Sequence, residues 1–304
     1  VAEALASHAG QLRRFVLEHH PVRGFWVRLN GAWCELLSYR RYPPPVERLL
    51  GEAVSATVLL AATLKFQGTL TLQLQGDGLV PLLVAQCTHR FELRAVARSA
   101  ATIEAAASFE QLIGHGQLLV TVESEERAAR YQGIVALQGA DLAACLENYF
   151  ASSEQLPTRL ALSATAGESA GVLLQKMPQS GPQGEAYAGR SHQAWEELCA
   201  NVGRLDAPLL QLGGPEQVLH RLCGTEDCRL FGVTPVRFAC RCSDGRVARL
   251  LRTLGREEIE SIIAEQGAVT VTCEFCGRPY RFDAVDAQRL LSAGAELEGP
   301  RSLN

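Results

Sequence analysis

The sequence predicts an α+β protein. It should have an N-terminal α+β domain over 1–180 with mixed or antiparallel sheets, a helical linker over 181–235, and a small C-terminal module over 236–304. Three observations lead to this division. Short strand-like segments alternate with helical ones as far as Lys176. A stretch rich in Pro, Gly, Ser and Gln, 178–190, then reads as a linker. Finally, Cys199, Cys223, Cys228, Cys240, Cys242, Cys273 and Cys276 crowd the C-terminal part, leaving Cys34, Cys87 and Cys145 scattered before them.

Taken in order, residues 2–18 read as an amphipathic helix carrying Leu5, Leu12, Phe15 and Val16. Gly24–Asn30 and Ala32–Tyr39 read as two strands joined by the hairpin signal Asn30-Gly31. Pro43-Pro44-Pro45 opens a helix over about 45–65, apolar nearly all round after Glu52 and therefore buried. Strands are expected at 69–75, 79–87 and 91–98, with Gly76-Asp77-Gly78 as a turn, and again at 118–123 and 131–137. A helix near 141–151 and strands at 158–165 and 171–176 complete the domain.

Three short helical segments follow. The first, 192–202, places Trp195, Leu198, Cys199 and Val202 on one face; the second spans 206–212; the third starts at Pro215 with Val218, Leu219, Leu222 and Cys223 aligned. Helices below ~12–15 residues are marginal alone, so these must draw stability from neighbours. In the C-terminal module, Ser243 caps a helix with Val247, Leu250, Leu251 and Leu254. Glu257 and Glu258 start another, which carries Ile259, Ile262 and Ile263 and ends at Gly267. Strands at 268–272 and 278–282 flank Cys273 and Cys276, and Asp283 caps a last helix.

Composition narrows the function. A net charge of −4 with pI near 6.0 argues against a general nucleic-acid binder. The longest apolar run, Ala53–Leu64, is too short for the ~20 residues of a membrane span. No basic region followed by an apolar run marks the N-terminus as a secretory signal, so a cytoplasmic location is expected. Gly114-His-Gly116 and Gly76-Asp-Gly78 lack the pattern of a phosphate loop and read as turns. His19-His20 reads as a polar helix end, and Ser152-Ser153-Glu154-Gln155 as a capped turn between helix and strand.

The cysteines carry the chemistry. Cys240-x-Cys242 and Cys273-x-x-Cys276 offer four thiolates in two close pairs, the pattern of a tetrahedral Zn²⁺ site. A module this small usually needs a metal or disulfides to fold. An inert structural zinc ribbon fits that spacing, and so does a redox site. A disulfide across Cys240-x-Cys242 closes a small, easily reduced ring, which favours a reversible switch. A thiol–disulfide enzyme normally places one pair at a helix N-terminus in a βαβ unit, and neither pair has that setting.

Further runs carry a resemblance. Phe238-Ala-Cys240-Arg-Cys242-Ser243, Leu254-Gly-Arg-Glu257-Glu258, Cys273-Glu-Phe-Cys276 and Tyr280-Arg-Phe282 lie in the last module. Tyr149-Phe-Ala-Ser-Ser-Glu154-Gln-Leu-Pro-Thr158, Tyr131-Gln-Gly-Ile-Val, Leu64-Lys-Phe-Gln-Gly68, Gln73-Leu-Gln-Gly76-Asp-Gly78 and Gln175-Lys-Met-Pro178 lie in the first. Over nearly its full length the chain resembles the heat-shock protein 33 family of redox-regulated holdase chaperones. The resemblance implies a C-terminal zinc-binding redox-switch domain, with one Zn²⁺ held by Cys240, Cys242, Cys273 and Cys276 in a reduced, inactive state.

The resemblance further implies that oxidation joins Cys240 to Cys242 and Cys273 to Cys276 and releases the metal. The linker then unfolds, and homodimers hold unfolding client proteins without ATP. It implies no catalytic residue and neither a membrane nor a nucleic-acid partner. Cys199, Cys223 and Cys228 lie outside the family's four-cysteine motif and read as small apolar residues on linker helices; Cys223-x4-Cys228 near His220 also suits an accessory metal or redox site. A rival reading, a zinc ribbon that contacts RNA or the translation machinery, predicts basic clustering. Residues 237–304 instead balance ten Arg against ten acidic residues.

Overall fold

Leu12, Phe15 and Leu17 point inward from a strand, not from the helix expected over 2–18. In the computed structural model, which describes residues 9–124, 130–178 and 182–295, Gly10–Leu17 is strand β1 and pairs antiparallel with β2 (Val22–Arg28). The register with the partner strand Cys228–Phe238 shifts between Arg13 and Phe15, where that strand carries one extra residue; the misreading has another cause. Leu12 faces one core and Phe15 and Leu17 the other, so β1 is apolar on both faces and Leu12 and Phe15 fall three apart as they would on a helix. Residues 2–8 of the expected helix lie outside the described residues. His19 and His20 do not end a helix; they form the β1–β2 connection and pair with Asp227 and Glu226 at 3.4 and 3.1 Å.

The strand expected at Ala32–Tyr39 is a helix, α1 (Asn30–Ser38), and Asn30-Gly31 begins it instead of turning a hairpin. Ala32, Trp33 and Leu36 are buried at helical spacing, and the Trp33 indole donates to the Thr165 carbonyl at 2.7 Å. Helix α2 (Pro44–Thr63) follows as expected, opened by proline where a missing N–H costs nothing. Every residue from Ala53 to Ala61 is buried. Strands β3 (Gly68–Gly76), β4 (Leu82–Thr88) and β5 (Glu92–Arg98), helix α3 (Phe109–Ile113), and strands β6 (Gly116–Ser124) and β7 (Arg130–Ala136) come next. Both glycine pairs are turns: Asp77 N–H donates to the His115 carbonyl and Gly78 N–H to that of Ile113.

Asp141 caps α4 (Leu142–Tyr149) through Ala144 N–H. The expected capped turn at Ser152–Gln155 is instead a π-helical turn, Phe150–Glu154, closed by Gln155 in the left-handed region (φ 53°). One Glu154 carboxylate oxygen accepts from the Tyr131 and Tyr149 hydroxyls at 2.8 and 3.0 Å, and Ser152 Oγ donates to the Asn148 carbonyl. This segment is held by its own helix and by β7. Strands β8 (Thr158–Ala164) and β9 (Ser169–Lys176) follow.

The stretch expected as a linker over 178–190 is already helical from Pro182; residues 179–181 lie outside the described residues. Helices α5 (Pro182–Val202), α6 (Ala207–Leu212) and α7 (Pro215–Cys223) lead into β10 (Cys228–Phe238), a strand that sequence analysis missed. The ten strands order as β7-β6-β3-β4-β5-β10-β1-β2-β9-β8. All neighbours are antiparallel except β10 with β5, so the sheet is mixed. The predicted α+β class stands, and among the described residues no helix is long and apolar enough to cross a membrane.

Alternation along the strands gives the sheet two apolar faces. Leu12, Phe25, Val27 and Leu173 join α1 and α2 in one core, with Leu70, Leu72 and Leu74 of β3. Phe15, Trp26, Val172 and Leu174 form the other face, covered by Trp195, Leu198 and Val202 of α5 and Val218, Leu219 and Leu222 of α7. These are the helix faces that periodicity picked out. Gly24 is required where β2 crosses Phe15: a Cβ there would sit 2.1 Å from a ring carbon of a side chain with no exposure. Gly24→Ala is therefore expected to cost about 1–3 kcal/mol, read as a fall in the thermal midpoint. Gly167→Ala, with nothing within 4 Å of the new methyl, should leave the midpoint in place.

The chain divides into two compact units, Val1–Ala239 and Cys240–Asn304. In the second, α8 (Asp244–Arg252), α9 (Arg256–Gln266), the hairpin β11 (Val269–Thr272) and β12 (Pro279–Phe282), and α10 (Ala284–Ala295) follow the expected order. Ser243 caps α8 through Arg246 N–H, and Asp283 accepts from Val285 and Asp286 N–H at the start of α10. Gly267, at φ 75°, stops α9. The core is small: Val247, Leu251, Ile259, Val269, Tyr280, Phe282 and Ala287.

Candidate metal centre

Two short segments carry the four cysteines of the second unit. Cys240 and Cys242 lie in the extended run before the Ser243 cap. Cys273 and Cys276 lie in the β11–β12 turn, where Cys273 N–H donates to the Arg278 carbonyl and Gly277 N–H to that of Cys273. Gly277, at φ 66°, takes the left-handed conformation that lets the turn close beneath the thiols.

The segments bring all four Sγ atoms within 4.8 Å of one another. Cys240 and Cys242 are 3.4 Å apart, Cys240 and Cys273 3.6 Å, and Cys242 and Cys276 3.4 Å. A tetrahedral ion with Zn–S bonds of ~2.3 Å needs sulfur–sulfur edges of roughly 3.8 Å, and the observed cage is of that size. None of the four is in a disulfide.

Electrostatics favour a cation at the centre. Burial pushes the Cys242 thiol up, but hydrogen bonding from Tyr280 and the other three cysteines outweighs it and brings the thiol down to about 7. Burial and the neighbouring thiols push Cys276 up to about 12, and Cys240 is raised as well, first by burial. Four thiols this close cannot all ionise unless positive charge sits among them. The donor set is all sulfur, which suits a soft or borderline metal. The Tyr280 hydroxyl supplies a further observation. It is buried without a hydrogen-bond partner of its own and lies under the influence of Cys242, where a thiolate would accept its hydrogen bond. Sequence analysis quoted Tyr280 only within a run of resemblance. Its signal was its place on β12, alternating with exposed Pro279 and Arg281, four residues after Cys276.

The remaining cysteines lie apart from this cage. Cys87 and Cys145 are buried in the first core and Cys34 is exposed. Cys199 and Cys223 lie on α5 and α7, as expected of apolar helix-face residues, and pack in the second core of the first unit. Cys228 packs there too, but it opens strand β10 and is not on a helix.

Comparison with known proteins fixes the family. The profile of the family described as Hsp33 protein matches residues 10–283. The chain belongs to the Hsp33 family. Among family members, the 33 kDa chaperonin of Shewanella woodyi is 43% identical over 281 residues, covering 92% of this chain and 95% of the relative. That of Pseudomonas paraeruginosa is 43% identical over 296 residues, covering 97% and 98%. In structure the chain is similar to the 33 kDa chaperonin, a heat shock protein 33 homolog, of Thermotoga maritima. The TM-score is 0.81 at 21% identity, over 94% of this chain and 99% of that one. This last likeness bears on the fold alone.

Proposed function

We propose that the protein is an ATP-independent holdase chaperone gated by oxidation, which acts in the cytoplasm and protects unfolding proteins from aggregation during oxidative stress. The observation that carries this reading is the cage of four thiols within 4.8 Å, built into a unit with a small apolar core and found in a member of the Hsp33 family. Cys240, Cys242, Cys273 and Cys276 would hold one Zn²⁺ per chain in the reduced, inactive form. Bound there, the metal supplies a four-way cross-link and the charge that keeps the thiols ionised. The chain's own residues do the rest: Ser243 and Gly277 set the two loops, and Tyr280 holds a proton toward Cys242.

Activation converts four thiols to disulfides Cys240–Cys242 and Cys273–Cys276. With peroxide as oxidant, each pair gives two electrons to one peroxide; an S–S bond forms, the O–O bond breaks, and two waters leave. With the sulfurs paired in this way Cys240, Cys242, Cys273 and Cys276 would offer no thiolate to hold a metal, and the fold of 240–295 would lose its principal support.

The functional division is 1–180 as the chaperone domain, 181–235 as a linker whose metastable part is α5–α7, and 236–304 as the switch, with β10 kept in the sheet of the first unit. Support for the linker comes from how α5–α7 are held. Their apolar faces dock on β1, β2 and β9 through side chains, whereas the strands beneath are laced by backbone hydrogen bonds. Released, those faces and the sheet they cover present apolar surface to unfolding clients and to a second copy, so a homodimer should accompany activation. No residue is assigned a catalytic role, and neither a membrane nor a nucleic-acid partner belongs to this reading.

Loosening the docked helices should lower the threshold for activation. Leu222, with no exposure, anchors α7; truncating such a side chain to Ala costs about 2–5 kcal/mol. Leu222→Ala is expected to suppress client aggregation at lower oxidant doses than the parent protein, with the metal still bound in the reduced sample. An unchanged dose–response would remove the docking of α7 from the account.

A further inference from the structure

The α7–β10 turn carries a second thiol pair outside the four-cysteine cage. Cys223 is the last residue of α7 and Cys228 the first of β10. Between them Gly224-Thr225-Glu226-Asp227 folds back, with Gly224 N–H donating to the His220 carbonyl at 3.1 Å and Glu226 N–H to that of Cys223 at 3.0 Å. His20 holds Glu226 and His19 holds Asp227, fastening the turn to the β1–β2 connection. Both side chains pack in the core beneath the docked helices, and the short turn between them keeps the two cysteines neighbours that perturb each other's ionisation. Cys223 is buried while Cys228 is part-exposed.

We propose that Cys228 and Cys223 are a second oxidation site, in which Cys228 reacts with a peroxide or hypohalous acid and Cys223 resolves it to a disulfide. The assignment of roles follows from the surroundings. Cys228 is part-exposed at the first residue of a strand and open to a small oxidant, whereas Cys223 is buried in the core. The direction of ionisation agrees: interaction with Cys223 lowers the Cys228 thiol, against burial and the Glu18 carboxylate, and interaction with Cys228 and burial push the Cys223 thiol up. The part-exposed sulfur is the better nucleophile, and the buried one keeps its proton until needed.

The chemistry balances. The Cys228 thiolate attacks one peroxide oxygen, the S–O bond forms, the O–O bond breaks, and hydroxide leaves to be protonated to water. Cys223 then gives up its proton and attacks the sulfenic sulfur; the S–S bond forms and the S–O bond breaks, releasing a second water. Two electrons pass from the sulfur pair to the oxidant. The bond fastens the end of α7 to the first residue of β10, so oxidation is recorded inside the first compact unit as well as at the cage.

Trypsin makes the test direct. Cleavage after Arg221 and Arg229 yields Leu222–Arg229, which holds Cys223 and Cys228 and no other cysteine. In the zinc-loaded full chain, a peroxide titration should convert this peptide to a form lighter by two hydrogens and restored by reductant, ahead of any change at the buried Cys87 and Cys145. Cys223→Ser should leave Cys228 as a sulfenic acid captured by a dimedone probe, and Cys228→Ser should leave Cys223 reduced at the same dose. The proposal is overturned if the peptide stays reduced at doses that empty the metal site. It is equally overturned if Cys228 bonds another cysteine, or if Cys228→Ser does not protect Cys223. Metal release, followed in the same samples, reports on the cage separately, so failure at either site is read without the other.

Discussion

Cys273→Ser is expected to abolish metal binding and to unfold residues 240–295 while the sheet of the first unit stays folded. Zinc binding supplies roughly 10–16 kcal/mol of apparent folding energy in small modules, and that exceeds what so small a core can spare. The seven buried side chains around Tyr280 and Ile259 cannot replace it, since modules of this size rarely hold more than about 3–5 kcal/mol of net stability. Metal content by a chromogenic chelator should fall to zero, and amide exchange across α8–α10 should become that of an open chain. Retention of both would show that Cys273 is not a ligand.

Oxidation of the intact protein carries the second large effect. Exchange protection is expected to collapse in 240–295 and in α5–α7, and to persist in α2 and in β3, β4 and β6. Strand β10 distinguishes this account from wholesale loss of the C-terminal third. It pairs with β1 from Gly10↔Val236 to Leu17↔Cys228 and with β5 at Arg237↔Glu92 and Phe238↔Leu93. Removing it would leave two strand edges bare in the middle of the sheet. Its amides should therefore stay protected although they lie between two segments that open. Equal loss in α2 and α5 would mean that the protein does not switch in parts.

What the sequence could reveal depended on how each segment is held. The face Trp195/Leu198/Val202 and the buried helix Ala53–Ala61 declared themselves because side-chain burial fixes their place, and burial leaves a period. Strand β10 left a blurred one: Cys228, Leu230, Thr234, Val236 and Phe238 turn inward, but apolar Phe231 and Val233 occupy the exposed positions between them, and Gly232 and Pro235 interrupt the run; backbone pairing holds it in place. Strand β1 imitated a helix because its apolar residues serve both faces of the sheet, and α1 was hidden by an Asn-Gly pair whose usual role is to turn a hairpin. At the candidate site the spacing within each cysteine pair is local and therefore legible. That Tyr280 borders Cys242, and that Cys223 and Cys228 meet across a turn, depend on elements folded against one another.

The central claim is that holding clients requires loss of the metal cage. One titration tests it most directly: peroxide added in steps to the reduced, zinc-loaded chain, with metal release, sedimentation and suppression of client aggregation measured on the same samples without nucleotide. The account predicts that the three rise together, with little suppression before the metal leaves and a dimer once it has left. Suppression as strong with the metal fully bound would contradict it.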